Sequence, residues 1–207
     1  MVARVRRAIW TIVASARVCA DLPHSSVMIS LDDPRWSLRM SGPDTHNAEL
    51  TLHPIGIIRS PHTVAEETPI QPVFAQGVAG RAEILPQFVA GLADLDGFSH
   101  IWLLHWFHQA GAPRLTVRPY LQDAEHGVFA TRAPTRPNPI GLSLVRLVRR
   151  EGCVLHLEDV DVLDGTPLLD IKPYVPRFDY RADARTGWLE AVDADTAQRR
   201  GRRQSRL

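Results

Sequence analysis

Residues 127–147, GVFATRAPTRPNPIGLSLVRL, hold three prolines, two glycines and two threonines among apolar residues, with no helical periodicity. Pro134, Pro137 and Pro139 each fix φ, remove a backbone donor and push the preceding residue toward extended geometry, so Asn138 is locked between two prolines. Arg132 and Arg136, four apart, add planar charged forks suited to phosphate, carboxylate or a stacked base. The segment reads as a preorganised ligand loop, with a proline-rich strand crossover carrying solvated arginines as the plainer alternative. A second chemical segment, DVLDGTPLLDIKPY, brings Asp161, Asp164, Asp170, Lys172 and Tyr174 within fourteen residues. Its DGTP turn folds the chain back so that side chains from both flanks can converge. Asp164 before Gly165 is equally ordinary turn chemistry, and Lys172 can hold a phosphate or pair with Asp170.

The elements that must position these groups are mostly strands. The runs at 52–60, 77–85, 100–107, 126–132, 142–150, 153–162 and 168–175 are short, rich in Val, Ile, Leu and aromatics, and separated by Gly, Pro and Asp. In SLVRLVRR and VLHLEDVDV polar and apolar residues alternate with a period near two, as in strands with one buried face. The pair flanking Glu151 and Gly152 reads as a hairpin. Only 86–97 and 184–198 look helical, so the alternation of a doubly wound sheet is missing and a mainly β fold, a small barrel or strongly curved sheet, is expected. Phe98, Trp102, Trp106 and Phe107 are expected in core and interface rather than as base-stacking platforms.

Composition limits the chemistry further. A chain of 207 residues with 44% hydrophobic and 23% charged residues suits one main domain plus tails. A net charge of +1 argues against whole-surface attraction to a polyanion, so any nucleic-acid surface is local. Its candidates are the loop arginines and the run Arg199, Arg200, Arg202, Arg203 and Arg206, which reads as a tether or as a solvated tail. Cys19 and Cys153 have no CxxC partner, which disfavours a disulfide scaffold or zinc and fits a reducing cytoplasm. His105 and His108 lack the companions of a metal site, so no metal is expected. GxGxxG, GxxxxGK[ST] and GxSxG are all absent, which disfavours a Rossmann site, a P-loop and an α/β-hydrolase. The apolar run at 8–16 is too short to span a bilayer, and no membrane partner is expected. The expected organisation is a poorly structured extension over 1–50, a barrel domain over 51–190 and a basic tail over 191–207.

Taken in order, IGIIRSPHT, PIQPVF, GRAEILPQFVAGLADLDGFSHIWLLHWFHQ, GVFATRAPTRPNPIGLS and DVDVLDGTPLLDIKPYVPRFD closely resemble the TsaA-like family, whose characterised members are the TrmO tRNA methyltransferases. The resemblance covers roughly residues 52–190. It implies a small single-domain β-barrel with one or two short helices, usually dimeric, that binds S-adenosylmethionine outside any Rossmann framework and methylates N6 of threonylcarbamoyladenosine beside the anticodon of tRNA. Carried over by motif, the cofactor pocket would draw on Gln71, Pro72 and Val73, on His108 and Gln109, on Arg132 and Leu142, and on Glu158, Asp159, Val160 and Asp161. His108 stands where relatives often have Asp, so recognition at that point differs here. The implied reaction needs alignment of the methyl with a urea-like nitrogen and loss of its N–H proton. Asp161, Asp164 and Tyr174 are the candidate bases, Asn138 the positioning residue, and Arg136 and Lys172 the contacts for tRNA phosphate or the threonyl carboxylate. A methyltransferase of this fold acting on another RNA or a small molecule, and a noncatalytic nucleic-acid- or protein-binding barrel, are the other readings.

Overall fold

The computed structural model describes residues 50–203 together with residues 37 and 38. The expected N-terminal extension otherwise lies outside the described residues. A two-residue ladder joins β1 (Ser37–Leu38) to β2 (Leu50–Thr51). The strands that follow are β3 (Gly56–Arg59), β4 (Gly80–Ile84), β5 (His100–Trp106), β6 (Thr116–Val117), β7 (His126–Gly127), β8 (Ile140–Glu151), β9 (Val154–Glu158) and β10 (Thr166–Pro173). Six of them close an antiparallel barrel in the order β10-β3-β4-β9-β8-β5. Closure removes every sheet edge from this group, and register shifts at Leu147/Arg149 and Leu168/Asp170 supply local bends.

The period-two pattern sets which side chains fill the barrel. Along β5, Ile101, Leu103 and His105 are buried, and along β8 Ser143, Val145 and Leu147 are. The hydrophobic ones among them join Ile58, Ala82, Leu155, Leu157, Val160 and Leu168 in one core. At one end of the barrel, therefore, the inward rows continue past the hydrophobes into His105 and Ser143. β8 and β9 form the expected hairpin, with Glu151 opposite Val154 and Gly152 at φ +59°, a conformation glycine adopts without a Cβ penalty.

Several expectations are corrected. Residues 86–97 are helical as expected, but not continuously: they form two 3₁₀ segments, Pro86–Leu92 and Leu95–Gly97, separated at Asp94 by a φ of +64°. The expected strand at 126–132 stops after Gly127, and Val128–Ala130 form a 3₁₀ turn in which the Thr131 hydroxyl donates to the Val128 carbonyl. The run at 153–162 ends at Glu158 because Asp159 turns to φ +65° and its carboxylate accepts from the Gly77 N–H. After β10 come the single turn α1 (Pro176–Asp179), a 3₁₀ segment Gly187–Ala191 and α2 (Ala194–Gly201). The Asp193 side chain caps α2 by accepting from the Thr196 N–H.

The arginine-rich C-terminus is part of the body rather than a free tail over its described part. Arg200 pairs with both oxygens of Asp123 at 3.0 and 3.2 Å. Arg203 lies 3.8 Å over the Tyr120 ring and donates to the carbonyls of Ala65 and Thr68. The Gly201 carbonyl accepts from the Ile70 N–H, and a Cβ at Gly201 would lie 2.5 Å from the Phe74 ring. Local sequence reads the arginines as solvated because their partners lie about 80 to 140 residues away.

Candidate functional site at the barrel mouth

The proline loop, the end of β5 and the start of β8 meet at one end of the barrel. Pro139 accepts from the Phe107 N–H at 2.8 Å, which ties the loop to the chain just past β5. His105 faces Gly141 across the ladder, and a Cβ on Gly141 would lie 2.2 Å from the imidazole. Only glycine leaves room for that ring. The ring packs edge-on against Phe107, with centroids 5.1 Å apart, and its Nε2 lies 3.3 Å from the Ser143 hydroxyl. Its Nδ1 is buried with no hydrogen-bond partner. Burial, with a smaller contribution from His108, lowers the His105 pKa from 6.5 to about 4, so the ring is neutral at physiological pH.

Asp161 completes this buried polar group. Its Oδ1 is enclosed and without a partner. Burial pushes its pKa from 3.8 up to about 7, opposed by a hydrogen bond from Ser143 and by the charge of Arg132. Arg132 itself is exposed and donates from Nη1 to the Gln71 side-chain carbonyl. Gln71 precedes the 3₁₀ turn Pro72–Phe74, which packs against β8. Val73 and Leu142 remain 58% and 43% exposed, so apolar surface borders the charged pair. The C-terminal contacts at Ile70, Phe74, Ala65 and Thr68 bracket Gln71 and hold the turn from behind.

The other sequence candidates divide by place. His108 and Gln109 lie at this mouth: Thr166 gives its hydroxyl proton to the Leu163 carbonyl at 2.7 Å, so it accepts from His108 Nδ1 at 3.3 Å. His108 Nε2 is then the acceptor for the Gln109 amide at 3.4 Å. Asn138 is exposed, and its side chain makes no hydrogen bond among the described residues. Arg136 turns inward on its own loop, donating to the carbonyls of Thr131 and Ala133 at 3.2 and 3.4 Å. Glu158 pairs with Arg146, and Val160 is a core residue whose carbonyl accepts from His62. Asp164 is occupied by the Ser60 N–H at 3.1 Å and by Arg59 at 3.8 Å.

Lys172 and Tyr174 are not brought to this group. Tyr174 donates its N–H to the His100 carbonyl at the opposite end of β5, and its ring meets Trp102 edge-on at 6.0 Å. Lys172 pairs with Asp170 at 2.8 Å. From His100 to His105 the strand spans roughly 17 Å. Sequence reasoning missed His105 and Ser143, although a polar residue at an inward position of an otherwise apolar strand row was the available signal. Among the described residues no three His, Cys, Asp or Glu converge as metal ligands do, and no helix is long and apolar enough to cross a membrane.

Comparison with known proteins finds relatives that span most of the described residues. A probable S-adenosyl-L-methionine-binding protein of Pyrococcus abyssi is 57% identical over 141 residues, spanning 68% of this chain and 77% of that protein. The tRNA (adenine(37)-N6)-methyltransferase of Escherichia coli is 39% identical over 150 residues, spanning 68% of this chain and 64% of its own length. The crystal structure of TrmO from Pseudomonas aeruginosa superposes with a TM-score of 0.57 at 46% identity, covering 70% of this chain and 63% of that one. The chain thus spans just under two thirds of the latter two proteins. Residues 57–180 match the family model described as the tRNA-methyltransferase O N-terminal domain, and with a barrel of the same fold the chain belongs to the tRNA-methyltransferase O family.

Proposed function

We propose that the chain is an S-adenosylmethionine-dependent methyltransferase that modifies N6 of threonylcarbamoyladenosine next to the anticodon of tRNA. The observation that carries this reading is the meeting of Arg132, held on Gln71, with the enclosed carboxyl of Asp161 beside the exposed apolar surfaces of Val73 and Leu142. The residues fit the cofactor. Arg132 suits a methionine carboxylate, Val73 and Leu142 suit the faces of an adenine, and the unpartnered Asp161 Oδ1 is a buried acceptor in want of a donor. Bound there, the sulfonium supplies an electrophilic methyl group.

The chain's own groups then have separable tasks. Arg132 anchors charge, while Val73 and Leu142 exclude water. Asp161 is the favoured proton acceptor among the three carried from the sequence. Asp164 is committed to Arg59 and Ser60, and Tyr174 stands at the far end of the barrel. Asn138, rigid and with a free amide, orients the substrate base. Arg136 shapes the loop that presents Asn138, and Lys172 serves a phosphate of the RNA outside the pocket. We place the protein in the cytoplasm as a homodimer, in keeping with the family resemblance.

The test is to incubate the full chain with S-adenosylmethionine and tRNA that carries threonylcarbamoyladenosine but not its N6-methyl form, then digest and weigh the nucleosides. A gain of one methyl on that nucleoside is expected. Methylation of another nucleoside, or none with the cofactor bound, would move the substrate to another RNA or a small molecule.

A further inference from the structure

We propose that Ser143 and His105 form a one-directional hydrogen-bond relay that keeps the enclosed carboxyl of Asp161 available as the proton acceptor of the site. This rests on the reading of Asp161 given above. The direction follows from the buried atoms. His105 Nε2 lies 3.3 Å from Ser143 Oγ, whereas Nδ1 has no partner. A proton on Nδ1 would bury an N–H donor with nothing to receive it, the costlier kind of orphan, and would turn the Ser143 hydroxyl toward the ring. A proton on Nε2 leaves Nδ1 as a bare lone pair and lets His105 donate to Ser143. The Ser143 hydroxyl is then free to donate to Asp161.

The backbone enforces this geometry. Gly141 sits opposite His105 and leaves no volume for a Cβ, so the ring is held against β8 on the side of Ser143. Ser143 pairs with Leu103 on the adjacent strand and faces inward with it. The charged and titratable groups acting on the cluster are Arg132 from the proline loop, which favours the carboxylate, and His108 beyond β5, which acts on His105. During transfer the substrate N–H bond breaks and its electron pair stays on the nitrogen, which bonds to the methyl carbon as that carbon's bond to the sulfonium breaks, its pair going to sulfur and leaving a neutral thioether; the proton ends on an Asp161 oxygen. The Ser143 proton stays on Ser143 throughout. Ser143 and His105 are therefore positioning residues; they act through Asp161.

The experiment is a carboxyl carbon-13 NMR titration of the full chain without added cofactor or RNA, with Asp161→Asn used to assign the Asp161 signal. In the wild type this carboxyl titrates well above the ordinary aspartate range. Ser143→Ala is expected to move the midpoint up by about one pH unit, and His105→Phe, which keeps an aromatic ring beside Phe107, to move it up by less. The acidic limb of the methylation rate should move by the same interval. An unchanged midpoint in a folded Ser143→Ala protein overturns the relay, as does a His105→Phe shift larger than that of Ser143→Ala. Shifts as expected in a protein that methylates no RNA leave the relay standing and remove the proposed substrate instead.

Discussion

The two ends of the barrel are furnished with similar side chains and use them differently. Around the start of β5, His100, Trp102, Tyr174, Asp170 and Lys172 bring together aromatic rings and opposite charges. A cavity of about 220 Å³ opens nearby, lined in part by Gly91, Leu95, Phe98 and Ile171. Polar groups there are partnered in the solvent-facing layer: Lys172 binds Asp170, and the Ser99 hydroxyl lies 2.9 Å from His100. Around the end of β5, His105, Ser143 and Asp161 stand inside the wall, and two of their polar atoms have no partner. A cavity alone does not mark a site. Buried polar atoms without partners raise the free energy of the fold, and their concentration at one end, beside Arg132, distinguishes the mouth from a merely concave surface.

The contrast is broken most directly at Arg132. Arg132→Ala should weaken S-adenosylmethionine binding roughly 10- to 100-fold by calorimetry, because a charged hydrogen-bonding group contributes about 1.5–3 kcal/mol. Lys172→Ala at the other end should leave that affinity unchanged, and equal losses in both variants would erase the distinction.

Glycines compare the packing of the ends. A Cβ on Gly141 collides with the His105 ring, whereas one on Gly91 meets nothing within 4 Å. Gly141→Ala should therefore cost about 1–3 kcal/mol in chemical denaturation. Gly91→Ala should stay within about 0.5 kcal/mol of the wild type.

Two buried groups also predict an unusual response to pH. Below 6.5 the unfolded chain takes up a proton that native His105 refuses until about pH 4, so stability is lost as pH falls through that window. Above 3.8 the unfolded chain releases a proton that native Asp161 keeps until about pH 7, so stability is lost as pH rises. At full extent the His105 effect is worth about 3 kcal/mol and the Asp161 effect about 4 kcal/mol, and between about pH 4 and 6.5 they oppose each other. The wild type should give a nearly flat profile there. His105→Leu should make stability fall with rising pH, and Asp161→Asn should make it climb; parallel profiles would show that the groups are not buried as described.

The smallest effect belongs to Lys172. Its pair with Asp170 is exposed, with 62% of the lysine side chain in solvent, so Lys172→Ala should change stability by less than about 0.5 kcal/mol. If it meets RNA, the salt dependence of tRNA binding should drop by about one phosphate contact.

Alternation along SLVRLVRR and VLHLEDVDV, the Glu151–Gly152 turn and the ordered family motifs sufficed to read strands, a hairpin and a mainly β barrel. These are local properties: a half-buried strand needs a period of two, and a tight turn needs a residue that tolerates positive φ. Arg132, Gln71 and Asp161 were legible as candidates from the motifs alone. The resemblance also implied that they share one pocket; the contacts around them, Arg132 on Gln71 and Asp161 enclosed, were not legible. Barrel closure pairs residues far apart in the chain, and only that register separates Asp161 at the mouth from Tyr174 at the opposite end, although thirteen positions divide them in sequence. The same closure buried His105 and Ser143 at inward positions, turned Arg136 onto its own loop and docked Arg200 and Arg203. The energy of a charge or a polar atom depends on what surrounds it in space, and those surroundings exist only once the strands are paired.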